Sequence, residues 1–143
     1  MSKPNKAECQ DCDFVLWQPI SQLRVSQLAL YSDSRFPGRA ILSLSKHYEY
    51  LEDVPPLLLK KFMLDAQDAI TAIKRVTGAE RVNFAVLGNA VPHVHAHLIP
   101  RKSGEEPEPT KAPWEDTRSK AELPQVEAMK LVEEIRVQLT HLI

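Results

Sequence analysis

Three histidines occupy alternate positions in Pro92-His93-Val94-His95-Ala96-His97-Leu98-Ile99-Pro100-Arg101. On a strand, successive side chains face opposite sides, so His93, His95 and His97 share one face and Val94, Ala96 and Leu98 the other. The apolar face can pack on a helix while the imidazoles line a cleft. Three readings are open: satisfied surface histidines, ligands of one metal, or groups that do covalent chemistry. At a rise of roughly 3.3 Å per residue the outer pair lies about 13 Å apart, against metal–nitrogen bonds of about 2 Å. One ion is therefore shared by two of these rings more easily than by three. A neutral imidazole, with an ordinary pKa of about 6.5, is an available nucleophile at cellular pH. Its attack on phosphorus would give a phosphohistidine-type intermediate, and a neighbouring ring could bind phosphoryl oxygens or serve the leaving group. The pair in Cys9-Gln10-Asp11-Cys12 points to metal or redox chemistry, though a lone CxxC decides neither.

Regular elements are needed to hold these residues. Leu28 to Tyr31 and Ala40 to Leu44 predict strands separated by the turn residues Ser32-Asp33-Ser34 and Phe36-Pro37-Gly38. Asp53 before Val54-Pro55-Pro56 predicts a capped helix start. Leu59, Phe62, Ala66, Ala69, Ile73 and Val76 repeat at three- and four-residue steps, forming one apolar helix face, and Gly78 supplies a C-cap. Arg81–Leu87 and Val94–Ile99 predict two further strands around an Asn89-Ala90-Val91-Pro92 loop. Residues 102–124 read as an irregular proline-rich excursion. From Gln125 onward, Met129, Val132, Ile135, Leu139 and Leu142 predict a C-terminal helix. The expected fold class is α+β: an antiparallel sheet with a long helix packed on it and a C-terminal helix. One domain over 1–143 is expected, with a core at 7–101, the irregular segment at 102–124 and the helix at 125–143. Trp17 is expected in the core, and Trp114 as an anchor for its loop. Arg101 is expected either to approach a phosphate or to be solvated, and His141 to sit as a cation at a helix end.

The chain has 143 residues, 43% hydrophobic and 26% charged, with 18 basic and 19 acidic side chains for a net charge of −1. That balance gives no broad basic field for a nucleic-acid polymer, so phosphate recognition must be local. No apolar run approaches the roughly 20 residues of a spanning helix. Met1-Ser2-Lys3-Pro4-Asn5-Lys6 lacks a leader's apolar stretch, so a cytoplasmic location and no membrane partner are expected.

The histidine segment resembles the signature of the histidine triad nucleotide hydrolases and transferases, in which His-φ-His-φ-His-φ-φ (φ apolar) is the catalytic strand. Phe36-Pro37-Gly38-Arg39-Ala40-Ile41-Leu42, Lys46-His47, Asn83 and Gly88-Asn89 resemble that family's supporting segments in the right order, over about residues 9 to 101. The resemblance implies that His95 is the nucleophile, that His97 contacts the bridging or leaving oxygen, and that Asn89 and Asn83 contact phosphate. It departs at Arg39, where many relatives have histidine. Arginine stays protonated and cannot relay a proton, so Arg39 either clamps a phosphate oxygen or faces solvent. Ala90 replaces a hydroxyl residue.

A zinc-bearing branch of the family carries its metal on an N-terminal CxxC, a histidine after the second family strand and the first triad histidine. By that resemblance Cys9, Cys12, His47 and His93 would hold a structural zinc, a donor set suited to tetrahedral coordination, leaving His95 free. The implied activity is cleavage at a nucleoside α-phosphate through a nucleotidyl-His95 intermediate. The implied substrates are dinucleoside polyphosphates, nucleoside phosphoramidates and adenylylated molecules. The alternatives are a nucleotide-binding regulatory module with little catalysis, and a metalloenzyme using the histidine strand. A homodimer is expected from the resemblance and from the first helix's apolar face.

Overall fold

The computed structural model describes residues 6–142. Met1 to Asn5, on which most of the leader argument falls, and Ile143, the last residue expected in the C-terminal helix, lie outside the described residues. The observed fold is α+β. Strands β1 (Ala7–Glu8) and β2 (Val15–Leu16) form a small antiparallel ribbon. Strands β3 (Pro19–Gln22), β4 (Ser26–Leu30), β5 (Ala40–Leu44), β6 (Arg81–Ala85) and β7 (His95–Arg101) form a five-stranded antiparallel sheet in the order β3-β4-β5-β7-β6. Helices α1 (Pro56–Thr77) and α2 (Gln125–Leu142) complete the described elements.

Alternation along the strands sorts the sheet into two faces. Leu28, Leu30, Leu42, Leu44, Ala96 and Leu98 join one buried cluster with Phe62, Ala66, Ala69 and Ile73 of α1 and Ala128, Val132, Ile135 and Leu139 of α2. Both helices therefore cover the same face. The other face carries His95 and His97, and the register sets Ser43 opposite His95 and Ile41 and Ala85 opposite His97. Pro100, which offers no N–H, falls beyond the last β5 partner, Leu98. The buried Asp65 of α1 accepts hydrogen bonds from the backbone of Arg24 and Val25, the Ser26 hydroxyl and the Arg24 guanidinium, fastening the β3–β4 turn to the helix layer.

Several expectations need correction. The N-terminal segment carries three strands that have no periodic signal, two of them only two residues long. The strand expected at Arg81–Leu87 stops at Ala85, and β7 starts at His95, so His93 sits in the bend just before it. Asp53 does not cap α1. It closes a short 3-10 turn, Leu51–Asp53, and Pro55 and Pro56 start the helix, because proline pre-sets the helical φ. Trp17 is 63% exposed, at the two-residue connection between β2 and β3, while the neighbouring Phe14 and Leu16 are buried. Trp114 is also exposed; Pro113 beside it is the buried contact. Met129 lies on the solvent side of α2, with Ala128 inside. Gly78 caps α1 in the left-handed conformation, as expected.

Gly38 closes the loop between β4 and β5 at φ +98°, and a Cβ placed there would stand 2.5 Å from Thr77 Cγ2 at the end of α1. No side chain fits either condition. Gly38→Ala should lower unfolding free energy by about 2 kcal/mol and shift the denaturant midpoint accordingly, whereas Gly104→Ala, in open space, should not.

Candidate functional site

The β1–β2 ribbon lies across the sheet at the His95 end, and its connecting turn carries both cysteines. Cys9 N–H donates to the Phe14 carbonyl across that turn, and Asp11 N–H approaches Cys9 Sγ at 3.4 Å. The loop after β5 is tied to the segment before β7, with Val94 N–H donating to Tyr48 O and Leu44 N–H to Val94 O, which brings His47 beside His93. Cys9, Cys12, His47 and His93 thus converge from three separate places in the chain, their ligand atoms within 4.8 Å of one another. Cys9 Sγ is 3.7 Å from His47 Nδ1, Cys12 Sγ is 3.5 Å from His93 Nδ1, and the two Nδ1 atoms are 3.2 Å apart.

Those separations test the donor set. Zinc bonds of about 2.05 Å to nitrogen and about 2.3 Å to sulfur at tetrahedral angles require N···N near about 3.3 Å and S···N near about 3.6 Å. The cluster has the edges of that tetrahedron. His93 Nε2–H donates to the Leu44 carbonyl at 2.7 Å, so its Nδ1 lone pair is the one offered inward, as a second-shell carbonyl does for a metal-bound histidine. Burial pushes the Cys12 thiol up and the His93 imidazole down; a divalent cation would reverse the first by favouring thiolate. The residues fit a small tetrahedral dication.

His93 also reaches the triad. Its carbonyl oxygen lies 2.6 Å from His95 Nδ1. A carbonyl only accepts, so Nδ1 of His95 carries a proton and, in the neutral ring, Nε2 is the nitrogen with the lone pair. The Phe14 ring packs on both imidazoles, its centroid 5.1 Å from that of His93 and 4.8 Å from that of His95. The CxxC turn therefore presses one aromatic side chain against both the cluster and the His95 ring.

His97 is fixed from the other side. Arg39 Nη2 is 3.3 Å from His97 Nδ1, and a guanidinium only donates, so Nδ1 accepts and Nε2 carries the hydrogen. Arg39 Nη1 donates to Asp33 at 2.9 Å, and the guanidinium lies 4.0 Å above the Tyr31 ring. Its Nε is the one buried side-chain N or O atom without a hydrogen-bond partner among the described residues. Arg39 thus neither faces solvent nor stands free to reach a ligand. Asp33 is wholly buried and also accepts from Arg35 Nε, Nη2 and backbone N–H. Burial raises the Asp33 carboxyl, but these hydrogen bonds outweigh it and hold the group below the usual carboxylate range. Burial first, then the Arg39 charge, with His95 and Lys120 adding to it, lowers His97 to about 4. Among the described residues neither His95 Nε2 nor His97 Nε2 has a hydrogen-bond partner, and neither is sealed from solvent.

Beside His97, a cleft of about 500 Å³ is lined by Trp17, Gln18, Tyr31, Ile41, Lys120 and Glu122, among others. The 102–124 segment supplies its far wall. Ser34 N–H donates to Ala121 O and Leu123 N–H to Ser32 Oγ, and Lys120 contacts the Tyr31 hydroxyl. Phe14, Tyr31, Asp33, Trp17 and Lys120 were not foreseen as site residues. The signal for Asp33 was the turn it was assigned to, and the others carried none. Asn83 lies one row beyond His97, opposite Ile99, its Oδ1 accepting from Arg101 Nη1 at 2.7 Å. Arg101 is buried and also grips Glu106 and the carbonyls of Glu108 and Pro109, so it anchors the irregular segment rather than being solvated. Asn89 is exposed, just after Gly88, and no hydrogen bond joins it to the histidines. His141 is exposed in the last turn of α2. No described helix is long and apolar enough to cross a membrane.

A family model described as the HIT domain matches residues 20–104. The chain is similar to a solved histidine triad protein from Sinorhizobium meliloti 1021, with 26% identity over 85% of this chain and 88% of that one, at a TM-score of 0.76. A zinc-bound histidine triad family protein from Mycobacterium smegmatis aligns at 22% identity over 87% and 84%, TM-score 0.65. The diadenosine triphosphate hydrolase of Plasmodium falciparum aligns at 17% identity over 99% and 86%, TM-score 0.63. No curated protein matches the chain.

The depressed His97 has a consequence for stability. Between its ordinary 6.5 and about 4, the unfolded chain takes up a proton that the folded chain refuses, so stability rises with pH across that window and falls on acidification. Denaturant unfolding of wild type and His97→Gln from pH 7 to pH 4 should show wild type losing stability faster; parallel curves would remove the effect.

Proposed function

Because the chain belongs to the HIT domain family, we propose that it is a nucleotide hydrolase or nucleotidyl transferase cleaving at a nucleoside α-phosphate through a nucleotidyl-His95 intermediate. The observation that carries this reading is the complementary pair of ring tautomers: a bare Nε2 on His95 beside a protonated Nε2 on His97, both reachable from solvent. One ring is prepared to donate an electron pair and the other a hydrogen bond.

In this reading the nucleoside lies in the cleft beside His97, its base against the exposed Trp17. His95 Nε2 attacks the α-phosphorus, and the bond to the bridging atom breaks. His97 Nε2–H donates a hydrogen bond to the departing atom. Water or another acceptor then attacks phosphorus and returns the electron pair to His95. Phe14 and the His93 carbonyl keep the attacking ring from rotating. Asn89 and Asn83 are carried as phosphate contacts of the loaded site. The candidate substrates are dinucleoside polyphosphates, as for the Plasmodium falciparum hydrolase, nucleoside phosphoramidates and adenylylated molecules. Zinc on Cys9, Cys12, His47 and His93 would serve as a structural tie, its charge stabilising the two thiolates. The chain is read as a cytoplasmic homodimer.

Two measurements test this. His95→Ala should lower turnover of a dinucleoside polyphosphate by roughly 10³-fold or more with an unchanged circular dichroism spectrum, and wild type quenched in mid-turnover should carry a nucleotidyl adduct on His95. Nucleotide binding with no wild-type turnover would instead mark a regulatory binding module. Protein purified without chelator or metal-affinity tag should hold about one zinc per chain by elemental mass spectrometry, and Cys12→Ser should lower both that content and the melting temperature.

A further inference from the structure

Arg39 is locked on three sides: its charge is matched by the buried Asp33 carboxylate, its face rests on Tyr31, and its remaining Nη atom is held against His97. Asp33 is itself oriented by Arg35, so the arrangement does not depend on a substrate being present. To work as a general acid, His97 would need a second proton on Nδ1, and that proton would point at a guanidinium N–H, donor against donor. Arg39, unlike a histidine at the same place, cannot give up a proton to make room. The other groups facing His97 give no relief. Lys120 adds positive charge, and Tyr31 and His95 bring no anion.

We infer that the Asp33–Arg39–His97 chain makes the site selective for nucleotides whose leaving group departs as an anion without taking up a proton, the phosphoanhydrides, over phosphoramidates, whose amine leaving group needs one. This rests on the nucleotidyl-transfer reading above. With a phosphoanhydride the balance closes. The His95 Nε2 lone pair forms the N–P bond, and the bond from phosphorus to the bridging oxygen breaks with its electron pair on that oxygen. The leaving phosphate departs as an anion, held by the His97 N–H and faced by Lys120 across the cleft. In the second step water oxygen bonds to phosphorus, the N–P pair returns to His95, and the water proton passes to solvent. With a phosphoramidate the breaking P–N bond would leave its pair on nitrogen as an amide anion, because a neutral His97 flanked by Arg39 lacks the second proton that would let its Nε2–H be transferred. Arg39 is therefore a positioning residue that acts through His97.

The test compares kcat/KM for diadenosine triphosphate and adenosine 5′-N-butylphosphoramidate in wild type, Arg39→Gln and Arg39→Lys. General acid catalysis is worth roughly 10²–10⁴-fold, so wild type should favour the anhydride by on the order of 100-fold. Arg39→Gln, which removes the charge and can turn an accepting amide oxygen toward His97 Nδ1, should narrow that ratio about tenfold, chiefly by faster amidate turnover; Arg39→Lys should keep it. A gain on one substrate is not an effect of misfolding, and if the glutamine variant does not fold, the wild-type ratio still decides. Equal or faster amidate turnover by wild type, or a ratio unmoved in a folded Arg39→Gln, overturns the inference alone. Absence of turnover on both substrates with no adduct on His95 overturns the nucleotidyl-transfer reading, and this inference with it.

Discussion

The carbonyl oxygen of His93, 2.6 Å from His95 Nδ1, is the constraint on which the rest of the site depends. A free imidazole exchanges its proton between two nitrogens and rotates about two bonds. This one is left with a single tautomer and a single orientation, and the backbone group responsible belongs to a residue that is itself held three ways. The His93 ring donates to Leu44 O, presents Nδ1 toward Cys12 and His47, and packs under Phe14. What anchors His93 therefore orients His95. The four-residue cluster and the His95 ring are one mechanical unit, joined through one peptide group.

A second constraint comes from the opposite edge. The loop between β4 and β5 buries Asp33, turns back through Gly38 against α1 and delivers Arg39 to His97, whose own strand is aligned by pairing with Ile41. The two rings are thus prepared differently although their sequence environments are nearly alike. His95 is held by an acceptor, which puts its proton on Nδ1. His97 is held by a donor, which puts its proton on Nε2. The asymmetry that the proposed two-step transfer needs comes from what each Nδ1 touches.

Much of this architecture was legible because it is periodic. The apolar rows of α1 and α2, the glycine stop at Gly78 and strand β5 are visible from spacing alone, and the alternating histidines mark their strand. The ribbon β1–β2 was not legible, since two-residue strands in a polar, cysteine-bearing segment leave no period to detect. Burial of single aromatics also failed. Trp17 and Phe14 are alike in hydrophobicity, and only the packing of the ribbon decides that Phe14 goes inside. Arg39 was read as a phosphate clamp or a solvated charge because its partner His97 is 58 residues away, and no local pattern announces a long-range ion and hydrogen-bond chain. The metal-type cluster was legible only by resemblance, because its donors come from three distant segments.

Long-range 15N–1H correlation spectra of the imidazole rings report which nitrogen of each histidine bears hydrogen. In the substrate-free protein at neutral pH, His95 should show hydrogen on Nδ1 and a bare, pyridine-like Nε2, and His97 the reverse. A His95 ring protonated at Nε2, or a pair of rings sharing one tautomer, would contradict this assignment.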